Sequence, residues 1–198
     1  MSGKLIVLSG PSGVGKSTVV QRLMEQNPNL QFSVSATTRP MRPSDVEGKT
    51  YYFVSRDTFE AMIADKQFFE YAEFVGNYYG TPIAPIDAAL SEGKDILLDI
   101  EPVGALNVKR LRPDAVLIFL AAPSFSELER RLTGRGDTAP DVVKSRLERA
   151  KWDYSQAPQY DYLVVNDTVD HAVMELQSIM TAEKCRTNLR IDVLKEDL

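Results

Sequence analysis

The run Leu5-Ile6-Val7-Leu8-Ser9 passes directly into Gly10-Pro11-Ser12-Gly13-Val14-Gly15-Lys16-Ser17, and this junction limits the possible folds more tightly than any other stretch. A short continuous apolar run that stops at glycine reads as a strand buried on both faces. From Lys16 onward Val19, Val20, Leu23 and Met24 fall at helical spacing, and Asn27-Pro28-Asn29 ends the pattern. Buried strands of the same kind are expected at 96–100, 115–120 and 162–165, separated by helical patterns at 86–90, 103–111 and 142–154. Strands alternating with helices predict an α/β chain with a parallel sheet covered on both faces.

The glycine segment fits the pattern G-x-x-x-x-G-K-S, placed after a strand and at the opening of a helix as that pattern requires. Glycines let the backbone curl so that successive N–H groups and the helix N-terminus point at phosphate oxygens. Lys16 adds a positive charge, and the Ser17 hydroxyl is placed to reach Mg2+. Ile96-Leu97-Leu98-Asp99 is an apolar strand ending in a carboxylate, the arrangement that puts an acid near a metal at the C-terminal edge of a parallel sheet. A strand-end acid can equally be a plain loop residue, and the glycine loop is what gives Asp99 its weight.

Residues 32–80 break the α/β rhythm. Segments 32–36, 50–54 and 68–75 look like strands, with one short helix at 59–64 among them. An inserted, mostly β subdomain is expected, devoted to ligand recognition because the α/β part can complete its core alone. Within it Arg39 and Arg42 each precede a proline, which favours extended geometry and three residues per turn, so both can face one anion; two solvated loop arginines are the alternative. Farther on, Arg130, Arg131, Arg135, Lys144, Arg146, Arg149 and Lys151 lie on a helix, a loop and a second helix. Gly134 and Gly136 flank Arg135, as in a hinged lid, although such charge runs are often solvated helix faces. The strand tyrosines Tyr51, Tyr52, Tyr78 and Tyr79 fit packing as well as binding. His171 falls off the apolar stripe of its helix and reads as a surface residue.

Composition removes several functions. Lys and Arg total 23 against 28 Asp and Glu, a net charge of -5, which argues against general affinity for nucleic acid. A single cysteine, Cys185, and a single histidine allow neither an intrachain disulfide nor a Cys/His metal cluster. The longest apolar run, 115–122, is far short of the roughly 18 to 20 residues that span a bilayer, so no membrane partner is expected. The apolar stretch at the start is too short for a signal peptide, and a cytoplasmic protein is the expectation.

In their order along the chain the motifs resemble those of guanylate kinases. The residues that carry the resemblance are Gly10–Ser17, Ser33-Val34-Ser35-Ala36-Thr37-Thr38-Arg39-Pro40 with Arg42, Gly48–Phe53, Gly76–Thr81, Leu98-Asp99-Ile100-Glu101, Arg130-Arg131-Leu132 with Gly134-Arg135-Gly136, and Tyr162–Asp167. The resemblance spans about Lys4 to Lys184. It implies a P-loop NTPase fold with a five-stranded parallel sheet, the core at 1–34 and 82–198, a GMP-binding insertion at about 35–81 and a lid at about 124–156. It further implies Mg2+-assisted transfer of the γ-phosphoryl group of ATP to GMP, in purine nucleotide metabolism.

Carried over residue by residue, Ser35, Arg39, Arg42, Tyr51 and Tyr79 would hold the GMP phosphate. Glu70 and Thr81, with Ser35 and Glu101, would read guanine. Gly10, Pro11, Ser12, Gly13, Val14, Gly15, Lys16, Ser17 and Thr18 would cradle ATP, Ser17 and Asp99 would serve Mg2+, and Asn166 would lie near adenine. Arg131, Arg135 and Arg146 would close over the transferring phosphate, and the catalytic set would be Lys16, Arg39, Asp99, Arg135 and Arg146. Two departures stand out: Val103 where the family usually has Gln, and a longer tail beyond Thr187. The rival readings are a guanylate-kinase-like protein-interaction domain without catalysis and a kinase for another monophosphate. A GTPase is disfavoured because no Asn-Lys-x-Asp motif is present. The sequence leaves the oligomeric state open.

Overall fold

The computed structural model describes residues 3–134 and 140–194. The chain runs β1 (Leu5–Ser9), α1 (Lys16–Gln26), β2 (Leu30–Phe32), β3 (Ala36–Thr37), β4 (Tyr52–Phe53), α2 (Arg56–Ala64), β5 (Phe68–Phe74) and β6 (Asn77–Pro82). It continues through α3 (Ile83–Ser91), β7 (Asp95–Asp99), α4 (Pro102–Leu111), β8 (Val116–Ala121), α5 (Phe125–Thr133), α6 (Pro140–Gln156), β9 (Tyr162–Val165), α7 (Val169–Lys184) and α8 (Thr187–Arg190). Five strands form one sheet in the order β2-β7-β1-β8-β9, each neighbouring pair parallel. The P-loop NTPase architecture expected from the sequence is present.

Strand alternation feeds two cores. Ile6, Leu8, Ile118 and Leu120 pack with α1, α5, α6 and α7 on one face, while Leu5, Val7, Ile96, Leu98 and Leu117 pack with α3 and α4 on the other. Each such side chain, once buried, contributes about 1.5–3 kcal/mol. Burial on both faces makes these strands continuous apolar runs, and it fixes their C-terminal ends as a rigid edge.

The insertion is a separate four-stranded sheet, β4-β3-β6-β5, antiparallel except between β3 and β4. The strand expected at 32–36 is divided. Leu30–Phe32 pairs with β7 in the main sheet and Ala36–Thr37 opens the second. Between them the Ser33 N–H still reaches the Leu97 carbonyl at 3.0 Å, whereas the Ser35 carbonyl already accepts from Tyr52 N–H at 2.9 Å. β6 was not expected as a strand, because Asn77, Gly80 and Pro82 are poor strand formers; partners on both sides override that local preference. Val75 and Gly76 take positive φ of 49° and 73°, as a two-residue hairpin turn demands.

The two helices of the expected lid are α5 and α6, and Arg135 lies outside the described residues. The tail, which sequence pattern left unassigned, forms α8 and a 3-10 turn at Ile191–Leu194. Among the described residues no helix is long and apolar enough to cross a membrane. His171 is half exposed, and the Asp167 carboxylate 2.9 Å away raises its pKa.

Candidate active site

The loop after β1 ends at Gly15, whose φ of 92° is left-handed and which serves as N-cap of α1 without a side-chain cap. In α2, α5 and α7, by contrast, Ser55, Ser124 and Thr168 each accept a helix N–H. The first N–H groups of α1 therefore remain available to an anion. The loop is held from behind. Asn166 Nδ2 donates to the Val14 carbonyl at 2.8 Å, and Arg131 donates to that same carbonyl at 3.2 Å and to the Asn166 carbonyl at 3.0 Å. A Cβ at Gly15 would stand 2.6 Å from Asn166 Nδ2, so this packing requires glycine as much as the dihedral does. Hydrogen bonds from Arg130 and Arg131 hold the Glu127 carboxyl down at about 2. Arg131 and Asn166 thus act on the loop as braces in this structure.

The loop opens on a cavity of about 290 Å3 whose walls include Lys16, Ser17, Asp99, Glu101, Arg149 and Asp153. Lys16 Nζ lies 2.7 Å from Asp99 Oδ1 and donates to the Ile100 carbonyl at 3.5 Å. Thr18 follows in the first turn of α1 and is exposed. Burial pushes the Asp153 carboxyl up, against the pull of Arg149. A second cavity, about 490 Å3, extends toward the insertion and shares Lys16, Asp99 and Glu101 with the first. The two cavities therefore meet at one lysine and two acids.

On the insertion side Glu70, Tyr71 and Ala72 line that second cavity. β5 and β6 lose register between Phe68 and Tyr71, an irregularity of the bulge kind. Phe68 packs into the small insertion core with Phe59 and adjacent Phe69 into the main core, as alternation gives, whereas Glu70 faces the cavity and α4 instead of returning to the side of Phe68. Thr81 Oγ1 donates to Glu70 Oε1 at 2.5 Å. Burial pushes the Glu70 carboxyl up, the Thr81 hydrogen bond opposes this, and Glu101 adds to it. The Glu70 stem lies directly on α4, where a Cβ at Gly104 would come within 3.0 Å of Glu70 Cγ.

Arg39, Tyr51 and Tyr79 also converge. The Arg39 guanidinium sits 5.4 Å from the Tyr51 ring centroid and 5.5 Å from that of Phe53, and Tyr51 meets Tyr79 edge-on at 5.9 Å. Asp45 Oδ2 pairs with Arg39 at 2.9 Å and accepts the Arg42 backbone N–H at 2.7 Å. The Arg42 side chain is exposed, so the two arginines share an acid rather than a common face. Ser35 stands half-buried at the entry to the insertion, and Arg146 is half-buried on α6.

Comparison with known proteins decides the family. A family model described as guanylate kinase matches residues 2–183. The chain belongs to the guanylate kinase family. It is 52% identical over 187 residues to a guanylate kinase of Thermus thermophilus, covering 94% of this chain and 84% of that one. A guanylate kinase of Lactococcus lactis is 50% identical over 190 residues, covering 96% and 93%. The crystal structure of guanylate kinase from Anaplasma phagocytophilum superposes with a TM-score of 0.70 at 34% identity, covering 94% of this chain and 88% of that one. Kinship of this extent makes the chain an enzyme of the transferase class.

Three residues of the site escaped sequence reasoning, Asp45, Gly104 and Asp153, and Arg149 was named only among the cations of the expected lid. Asp45 gives no signal apart from its place beside two arginines. Gly104, inside a helical pattern, is the kind of residue that signals close approach of another element. Arg149 and Asp153 lie four apart on α6, a spacing visible in the sequence but shared with many solvated pairs.

Proposed function

We propose that the chain transfers the γ-phosphoryl group of ATP to GMP, releasing ADP and GDP, in the purine nucleotide metabolism of the cytosol. The observation that carries this reading is the meeting of two cavities at Lys16, Asp99 and Glu101, one edged by open helix N–H groups and the other by the buried Glu70–Thr81 pair. A polyphosphate suits the first. The second suits guanine, because an ionised carboxylate accepts from the adjacent N1–H and exocyclic amine of its Watson–Crick edge.

In this reading the loop N–H groups and Lys16 bind the donor phosphates, Lys16 exchanging part of its hold on Asp99 for them. Arg39, Arg42, Tyr51, Tyr79 and Ser35 position the acceptor phosphate, and Arg135 and Arg146 act from the lid. Because phosphoryl transfer needs in-line placement and charge neutralisation more than covalent help, no histidine base is required. Mg2+ fits the donors present. Ser17 and Asp99 offer oxygens at the loop cavity, and no group of three His, Cys, Asp or Glu capable of holding a metal occurs among the described residues. Such a set suits an ion carried mainly by substrate phosphates and water. When bound, Mg2+ would neutralise charge on the donor phosphates.

The test is ADP release measured with ATP, Mg2+ and each nucleoside monophosphate in turn. GMP should be the preferred acceptor. Equal turnover with AMP, CMP or UMP would overturn the assignment of the acceptor, and no turnover with any of them would favour the interaction domain.

A further inference from the structure

Arg149 is the cation of the loop cavity that the reading above leaves without work. Of the described side chains lining that cavity, Lys16 and Arg149 carry the positive charges, and Asp99, Glu101 and Asp153 the negative ones. Lys16 is closely paired with Asp99. Arg149 is held loosely: one nitrogen lies 3.5 Å from Glu101 and another 3.2 Å from Asp153, and neither contact is bidentate. Glu101 is itself 82% exposed and Arg149 49% exposed, so solvent weakens the first contact and no core packing restrains the side chain. The guanidinium also covers the Trp152 ring, 4.5 Å from its centroid.

We propose that Arg149 is a donor-phosphate ligand held in reserve: the polyphosphate of a nucleoside triphosphate at Gly10–Ser17 draws its guanidinium off Glu101 and Trp152 and into the cavity. A phosphate chain offers several charged oxygens in the planar spacing that a guanidinium matches, whereas the present carboxylates each engage a single nitrogen, at 3.5 Å and 3.2 Å. Before nucleotide arrives, Glu101 and Asp153 keep this cation at the cavity wall. When nucleotide binds, Glu101 is released on the side that faces the acceptor cavity. The proposal rests on the loop taking ATP.

Trp152 supplies the test, being the single tryptophan of the chain. ATP with Mg2+ is titrated into wild type, Arg149→Lys and Arg149→Ala without GMP, with tryptophan fluorescence and calorimetric binding followed in parallel. Wild type should change its emission as ATP saturates, since the cation leaves the ring. Arg149→Ala should show no such change, bind ATP roughly 10-fold more weakly and raise the KM for ATP, while the KM for GMP stays within about twofold. Arg149→Lys should recover part of the ATP affinity but less of the turnover, a point charge replacing a fork. ATP binding to wild type with silent fluorescence, or an unchanged emission response or KM for ATP in Arg149→Ala, would overturn the proposal while leaving the loop assignment intact. Failure of ATP to bind wild type would overturn both.

Discussion

On the proposed function the loop cavity is the donor side and is made mostly of backbone, and the insertion cavity is the acceptor side and is made mostly of side chains. On the donor side, β1 and β7 are buried strands inside a five-stranded sheet, and the loop between β1 and α1 is tied down through carbonyls by Asn166 and Arg131. On the acceptor side, β3 and β4 have two residues each and the local core is Ala36, Phe59 and Phe68. There the geometry is kept by Arg39 on Asp45, by rings packed edge-on, and by Glu70 on Thr81. A phosphate chain needs many identical N–H donors, which one rigid turn provides. A purine needs a few different groups in set places, which tertiary packing provides. Damage to the first should therefore reduce chemistry, and damage to the second should reduce choice and affinity.

Lys16→Ala tests the division most severely. The lysine charge should serve the transferring phosphate most strongly in the transition state, so kcat should fall by roughly 10^2–10^3, as when one preorganised group is removed from developing charge. GMP binding measured without ATP should change by less than about twofold, its principal partners lying on the insertion. Comparable loss in both measurements would mean that the shared wall of the two cavities is one functional unit.

Glu70→Gln comes next. Its carboxamide can accept only one of the two guanine hydrogen bonds and sets an amine against the other, so GMP efficiency should fall on the order of 10^2 and the preference for GMP over AMP should narrow. Acidity provides an independent arm. Because burial raises the Glu70 pKa above its ordinary 4.5, the carboxylate begins to take up protons at a higher pH than a free glutamate. Binding of guanosine, which has no phosphate to titrate, should weaken as pH falls through that range, and the Gln variant should lose this dependence.

The same contrast explains what could be read from the sequence. Everything on the donor side that lies within one stretch of chain was legible: β1, the glycine loop, the start of α1, and Asp99 at a strand end. Asn166 and Arg131 were assigned to nucleotide by resemblance, yet their contacts here are with the loop itself, more than a hundred residues away in sequence, a relation no local pattern encodes. On the acceptor side residue identities were legible and orientations were not. Strict alternation would put Glu70 on the face of Phe68, but the register shift between Phe68 and Tyr71 leaves it toward α4 and the cavity, and period-two reasoning fails at a bulge. Arg39 and Arg42, each before a proline, read either as facing one anion or as solvated in a loop; Asp45 takes the side chain of one and the backbone of the other.

Arg39→Ala should produce a smaller loss than either change above. Its guanidinium is the better placed of the pair for an acceptor phosphate, and a charge-assisted contact of about 1.5–3 kcal/mol corresponds to roughly 10- to 100-fold in GMP affinity. Guanosine should bind Arg39→Ala almost as it binds wild type. If guanosine weakens equally, the arginine supports the fold of the insertion through Asp45, Tyr51 and Phe53 and does not meet the phosphate.

The smallest expected effect is also the most discriminating. Gly104→Ala places a methyl group 3.0 Å from Glu70 Cγ and 3.4 Å from Ile100 Cδ1, so the Glu70 stem must shift by a few tenths of an ångström. Within a helix the same substitution removes backbone freedom from the unfolded chain and is worth about 0.5–1 kcal/mol in favour of the fold. Stability and selectivity are thereby set against each other: Tm should hold or rise, while GMP efficiency drops about fivefold and discrimination against IMP, which lacks the exocyclic amine, narrows. In a Glu70→Ala background there is no Cγ to displace, and Gly104→Ala should then leave acceptor choice as it finds it, a non-additivity expected only of residues in contact. A drop in Tm together with an additive loss of efficiency would assign Gly104 to packing of α4 alone, and base reading would then rest on Glu70 and Thr81 without help from the helix beneath them.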